Sequence, residues 1–273
     1  EKKKIKKTLV IAEAGVNHKN DIDIAFKLVE TAKKANADVI KFQTFNASKL
    51  TLKENNTALY QSKNTCLENQ YDLLKKLELS HEMHYKIIDY CKKLKIEFLS
   101  TAFDEDSLKF LIKNGIKRIK IPSGEITNLP FLIYAASFDI PVILSTGMSN
   151  LDEISAAISA LEESGTSRKS ITILHCTSEY PAPIQDVNLK AIETIQNKFG
   201  TSVGYSDHTQ GIIVSVAAVA LGATIIEKHL TLDKNLPGPD HKASLELNEF
   251  KNMVESIRKT EIALGSNRKE ASK

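Results

Sequence analysis

Short runs of apolar and β-branched residues alternate along this chain with longer stretches in which apolar residues recur every three or four positions. The first four runs are TLVIAEAG from residue 8, DVIKFQTF from 38, IEFLSTAF from 96 and RIKIPSGE from 118. IPVILSTG from 140, ITILHCTS from 171, SVGYSDH from 202 and TIIEKHLT from 224 complete a set of eight. Between them lie amphipathic segments such as DIAFKLVETAKKA, HYKIIDYCKKL and LDEISAAISALEES, and LNEFKNMVESIRKTEIAL follows the last run. Ser80 and Asn150 each precede a helical pattern with an acidic residue in its first turn, the signature of a helix start. Strand and helix in strict alternation predict an α/β fold, a (β/α)8 TIM barrel, as a single domain over residues 1–273. An open doubly wound sheet is the alternative, but no G-x-G-x-x-G follows the first run. Residues 44–80, between the second run and its helix, form a long polar excursion, and loops of that kind are functional or mobile.

Composition narrows the class. A chain of 273 residues with 42% hydrophobic and 26% charged content is long enough for a sizeable core and argues against disorder. The net charge of +3, without a basic stripe carrying interleaved aromatics, predicts no nucleic-acid partner. No apolar run reaches a membrane span and EKKKIKK lacks a signal-peptide core, so the expectation is a cytoplasmic enzyme with no membrane partner. Cys66, Cys91 and Cys176 are odd in number and lack C-x-x-C spacing, which predicts reduced thiols. The terminal runs EKKKIKK and SNRKEASK read as solvated tails.

In a parallel barrel the chemistry collects at the C-terminal ends of the strands. Those ends are polar here: Glu13 and Asn17; Lys41 and Gln43; Ser100 and Thr101; Lys120, Ser123 and Glu125; Ser145 and Thr146; His175, Thr177, Ser178 and Tyr180; Ser206, Asp207 and His208; Glu227 and His229. A lysine facing the barrel mouth is costly to desolvate unless an anion meets it, so Lys41 and Lys120 with the hydroxyls of Ser123, Ser145 and Ser206 read as a cradle for phosphate or carboxylate. His208 and His229 leave the same end of consecutive strands, and two imidazoles with open positions suit a divalent metal; buried, hydrogen-bonded histidines are the other reading. Asp240 and His241 sit in a proline-stiffened loop above the same mouth. His81 and His84 fall on a helix as surface or packing residues, and His18 is placed to touch ligand or solvent.

The motifs IAEAGVNH, VIKFQTF, LKKLEL, FLSTAFDEDS, KIPSGEITNLP, ILSTGMS, ILHCTSEYPAP, VGYSDHTQG, IIEKHLTLD and PGPDHKAS follow in order from about residue 9 to about 265. In these the chain resembles the sialic acid synthases, phosphoenolpyruvate-dependent enzymes that make N-acetylneuraminate and related nonulosonic acids. The resemblance implies that Lys41, Thr101, Lys120, Ser123, Ser145 and Ser206 hold phosphoenolpyruvate, and that His208 and His229 bind Mn2+ or Mg2+. It further implies that Glu13, Gln43, Tyr180 and Asp240 approach the open-chain amino sugar and that Glu125 lies at the reacting centre; Ser178 is counted with the substrate-binding residues. Two departures stand out. The usual NHNG after the first strand is NHKN here, which predicts a looser turn. Family members usually continue into a small antifreeze-like domain that lends an arginine to the partner subunit of a homodimer, and this chain ends at Lys273, so that domain is expected to be absent.

The implied reaction condenses phosphoenolpyruvate with an N-acetylated amino sugar by C–C bond formation and C–O cleavage, with catalytic roles for Glu13, Glu125, His208 and His229. N-acetylmannosamine, giving N-acetylneuraminate, is the first expectation for the sugar. The 6-deoxy diacetamido sugar of legionaminic acid is the alternative, and the pseudaminic branch tends to depart from the SGE motif. A metal-dependent aldolase or isomerase and a non-catalytic binding barrel are the rival readings.

Overall fold

Eight parallel strands pair in chain order and close into a barrel in the computed structural model, which describes residues 7–53, 55–57, 69–266 and 268–269. The strands are β1 (Leu9–Gly15), β2 (Val39–Thr44), β3 (Glu97–Ala102), β4 (Ile119–Ile121), β5 (Val142–Ser145), β6 (Ile171–Cys176), β7 (Ser202–Asp207) and β8 (Ile225–His229). Among the described residues the helices are α1 (Ile22–Lys34), α2 (Ala47–Leu50), α3 (Gln70–Leu77), α4 (His81–Leu94), α5 (Glu105–Lys113), α6 (Leu129–Ala136), α7 (Leu151–Glu163), α8 (Ala191–Phe199), α9 (Ile213–Ala220) and α10 (Leu247–Ala263). The starts read from sequence are in place: Ser80 Oγ accepts from Met83 N at 3.2 Å, and Asn150 closes a reciprocal capping box with Glu153.

Period-two alternation sorts each strand into a face toward the helices and a face toward the barrel axis. Val10, Ile40, Phe42, Ile121 and Ile226 pack outward into the large core beneath the helices. Ile11, Val39, Leu99, Ile143, Leu174 and Ile225 point inward as a separate apolar plug. Two residues further along the same face of each strand stand Glu13, Lys41, Thr101, Ser145, Cys176 and Glu227. One inward layer is therefore hydrocarbon and the next is polar, so the charged groups stand on a floor of packed, buried hydrocarbon.

The residue 44–80 excursion is less polar in space than in sequence. Leu73 and Leu77 of α3 bury against Val16 and Phe45, with Leu50, Leu74 and Phe103 packed on them. Of the thiols, Cys91 and Cys176 are free and buried, while Cys66 lies outside the described residues. The NHKN turn stays closed: Lys19 N donates to Val16 O at 3.1 Å and Asp21 N to His18 O at 2.9 Å. Lys19 and Asn20 take left-handed φ of 52° and 58° to do so, a conformation glycine adopts at less cost. No helix of the described residues is long and apolar enough to cross a membrane.

Candidate active site

Strand register brings the polar layer together before any side chain is considered. Glu13 pairs with Lys41 across β1–β2 and with His229 across β1–β8, Gln43 with Thr101, Thr101 with Lys120, and Ser206 with Glu227. The fourteen residues given a catalytic, substrate-binding or metal role from sequence all line one cavity of about 540 Å³ at the C-terminal end of the barrel: Glu13, Lys41, Gln43, Thr101, Lys120, Ser123, Glu125, Ser145, Ser178, Tyr180, Ser206, His208, His229 and Asp240. Leu50, Leu73, Leu74, Leu77 and Phe103 form an apolar wall of the same cavity.

The floor is a buried chain of alternating charge. Lys41 Nζ is 2.8 Å from Glu13 Oε2 and 3.5 Å from Glu227 Oε2, and it donates to Thr101 Oγ1 at 2.9 Å. Lys120 Nζ is 3.5 Å from Glu227 Oε1, which also accepts from Ser206 Oγ at 3.0 Å. Burial would drive Glu227 neutral, but Lys120 and Lys41 outweigh it and hold its carboxyl down at about 2. For Glu13 burial wins over Lys41, and with Glu227 nearby its pKa rises to about 7. Burial likewise raises Asp240 to about 7. Burial pulls Lys41 down, but Glu13 and Glu227 more than offset it. Lys120, with only Glu227 as its close carboxylate among the described residues, ends below its ordinary value. Two carboxyls that titrate near neutrality thus stand beside two ammonium groups.

The histidine pair meets at this floor. The rings of His208 and His229 are 5.7 Å apart between centroids, and Tyr180 stacks on His208 at 4.1 Å. His208 Nδ1 lies 2.6 Å from Thr177 O, a contact that fixes the proton on Nδ1 and leaves Nε2 as the acceptor nitrogen, 3.4 Å from Ser206 Oγ. Burial lowers His208 to about 4 and His229 well below its ordinary value, so both rings are neutral and able to ligate. His229 Nδ1 is buried with no hydrogen-bond partner, 3.8 Å from Asp240 Oδ2. Neutral imidazoles, a backbone-fixed tautomer and an orphan ring nitrogen fit a divalent ion. Protein ligands beyond the pair are lacking, for no group of three His, Cys, Asp or Glu among the described residues could hold a metal.

Two glycines leave room for this packing. A Cβ on Gly15, whose φ is +51°, would lie 3.3 Å from Asp240 Oδ2 and 3.4 Å from both Glu13 Oε1 and His229 Cε1. A Cβ on Gly147 would strike Ser178 Oγ at 2.1 Å, while Gly147 N donates to Ser123 Oγ at 2.9 Å. Glu125 sits on a short 3-10 turn after β4, with its Oε2 held by Asn128 Nδ2 at 2.6 Å.

Other strand-end residues turn away. Asp207 faces outward, where it pairs with fully buried Lys228 at 3.2 Å and accepts from Ser215 Oγ at 2.6 Å. His175 points at Val187 O, and Thr146 Oγ1 donates to Leu174 O. His18 does not reach solvent; it is fully buried and its Nδ1 accepts from Asn20 N at 2.9 Å. Asn17 ties the first turn to Leu230 O and Ser244 Oγ, and His241 turns to Thr231 Oγ1. His84 is a packing residue, buried between Ser80 O and Thr44 Oγ1, and His81 stacks on Phe110. Sequence reasoning left two contributors without a role: Glu227, whose period-two spacing to His229 was its signal, and the leucines of α3, masked by a polar neighbourhood.

Comparison with known proteins places this geometry. The chain is 52% identical to the N,N'-diacetyllegionaminic acid synthase of Campylobacter jejuni, over 98% of this chain and 81% of that protein. It is also 52% identical to the enzyme of the same name from Legionella pneumophila, over 96% and 75%. Identity is 38% to the N-acetylneuraminate-9-phosphate synthase of Mus musculus, over 94% and 71%. The crystal structure of the N-acetylneuraminic acid synthetase from Leptospira borgpetersenii in complex with citrate superposes with a TM-score of 0.88 at 34% identity, covering 97% of this chain and 88% of that one. Residues 28–269 match the NeuB family profile, and with these relatives beside it the chain belongs to the NeuB family.

Proposed function

We propose that this chain is a nonulosonic acid synthase that joins phosphoenolpyruvate to an open-chain diacetamido sugar, giving a legionaminic-type acid and phosphate. The observation that carries the reading is one cavity with a two-lysine, hydroxyl-lined floor beside a pair of neutral histidines. The choice of sugar takes the alternative over the first expectation. The cavity wall of Leu50, Leu73, Leu74, Leu77 and Phe103, with Gln70 at the start of α3, is mostly hydrocarbon and suits a 6-deoxy methyl group better than the C6 hydroxyl of N-acetylmannosamine. The legionaminic synthases at 52% identity, against 38% for the N-acetylneuraminate-9-phosphate synthase, support the same choice.

Lys41 and Lys120 bind the phosphate and carboxylate of phosphoenolpyruvate, with Thr101, Ser123, Ser145 and Ser206 as hydroxyl donors. Gln43, Ser178 and Tyr180 line the path to the sugar and orient it above C3 of the enol phosphate. His208 and His229 would hold Mn2+ or Mg2+, and such an ion, when bound, supplies a Lewis acid for the sugar aldehyde. The enol π pair forms the bond from C3 to the aldehyde carbon, and the aldehyde oxygen takes a proton from Glu13 or Asp240, both poised near neutrality. Water then adds to the cationic C2 and loses a proton to Glu125. The tetrahedral C2 finally expels phosphate with the C–O electron pair, and its hydroxyl proton passes to the departing phosphate as the ketone forms. Lys41 and Lys120 stabilise the phosphate as charge moves onto it.

The test is phosphate release with phosphoenolpyruvate and either sugar. The reading expects 2,4-diacetamido-2,4,6-trideoxymannose to give the higher kcat/KM, by about tenfold or more for one buried hydroxyl. An aldolase or isomerase would turn over a sugar phosphate without releasing phosphate, and no turnover with either sugar would overturn the proposal.

A further inference from the structure

Glu227 has no part in the steps above, yet both cradle lysines share it. Its two oxygens lie 3.5 Å from Lys41 Nζ and 3.5 Å from Lys120 Nζ, and Ser206 Oγ donates to it at 3.0 Å. All four side chains are buried, on a floor closed below by the apolar plug. Three of the groups that a phosphate would grip therefore already stand within 3.5 Å of one carboxylate. An incoming phosphate oxygen and Glu227 seek the same N–H and O–H donors.

We propose that Glu227 is the resident counterion of the anion cradle: a positioning residue that holds Lys41 and Lys120 charged and aimed at one point, and yields its share of their donors to the arriving phosphate. The inference rests on the phosphoenolpyruvate reading. It gives the carboxylate two opposed effects. Its negative charge repels the anion; like charges about 6 Å apart at an effective dielectric of about 20 cost roughly a hundredfold in affinity. It also supports Lys120, which burial drives toward neutrality and for which Glu227 is the chief opposing influence, with the Lys41 charge adding to the burial. Removing the charge should therefore tighten anion binding wherever Lys120 keeps its proton, and weaken it in alkali, where Lys120 loses that proton sooner.

The experiment titrates inorganic phosphate into chelator-treated wild type and Glu227→Gln by calorimetry, with the ratio of the two affinities followed across pH so that the ionisation of phosphate cancels. Glu227→Gln is expected to bind up to about a hundredfold tighter in mild acid, with the advantage shrinking and then reversing as pH rises. A purely structural role gives equal or weaker binding at every pH, and that result overturns the proposal. If Glu227→Gln does not fold, judged by its thermal melt, Glu227→Asp decides: phosphate affinity close to wild type supports the counterion role, and its loss overturns it. Failure of wild type to bind phosphate or phosphoenolpyruvate would sink the phosphoenolpyruvate reading and this inference with it. Wild-type binding with no gain in Glu227→Gln would sink this inference alone.

Discussion

Replacing Lys41 with Met removes the cation at the centre of the buried charge chain, and the geometry sets both the size and the pH dependence of the result. Lys41 is the close partner of Glu13 at 2.8 Å, whereas Glu227 keeps Lys120 at 3.5 Å. Breaking a buried pair by removing one partner costs about 3–5 kcal/mol when the survivor stays charged. Glu13 has a way out, because burial already lifts it to about 7 and loss of Lys41 lifts it further. A carboxyl whose folded pKa lies above its unfolded value leaves stability intact below the unfolded value and erodes it as pH climbs through the folded one. Lys41→Met is therefore expected to cost little near pH 5, and about 2–3 kcal/mol near pH 9, or roughly 5–10 °C in melting temperature for a chain of this size. Thermal melts of chelator-treated protein across that range provide the measurement. Calorimetry on the same samples should show phosphoenolpyruvate binding weakened roughly 100-fold, the worth of a buried charge-assisted contact of about 3 kcal/mol. A stability deficit that does not change with pH would refute the Glu13–Lys41 argument, and unchanged phosphoenolpyruvate affinity would refute the cradle.

Other outcomes follow from the same geometry. His208→Ala should weaken Mn2+ binding at least tenfold, read as free Mn2+ by electron paramagnetic resonance, while the barrel's circular dichroism stays the same; undiminished affinity would contradict the two-histidine site. Burial depresses buried His84 to about 4, so its share of stability, about 3 kcal/mol, is present above the ordinary histidine range and lost as pH falls from about 6.5 to 4; urea unfolding of His84→Gln should show a shallower acid slope. Leu74→Gln places an amide in the apolar wall and should narrow the preference for the 6-deoxy sugar over N-acetylmannosamine by about tenfold in kcat/KM, and an unaltered ratio would remove Leu74 from sugar recognition.

The barrel was legible in the sequence because each strand carries its own apolar run and each helix its own spacing, both of them local signals. His208 and His229 were legible as a pair for the same reason, since each ends a run in consecutive βα units. Legibility stopped where contact crosses several strands. Nothing local to Glu227 announces that it bridges lysines on β2 and β4. Likewise SDH reads as one cluster, but the period-two pleat sends Ser206 and His208 inward and Asp207 out to Lys228. His18 reads as a ligand or solvent contact because it follows the first strand, yet beside the left-handed turn of Lys19 and Asn20 it is fully buried from solvent. The leucines of α3 fell within a polar stretch, and only their packing against Val16 and Phe45 reveals a wall of the cavity.

The central claim is that this cavity couples phosphate release to C–C bond formation. It is tested most directly with phosphoenolpyruvate carrying 18O in the bridging C–O–P position, supplied with the diacetamido sugar and Mn2+. The account predicts one nonulosonate per phosphate, with the heavy oxygen in the phosphate, because the bond that breaks is C–O. Phosphate without the label, or no phosphate above the sugar-free control, would contradict it.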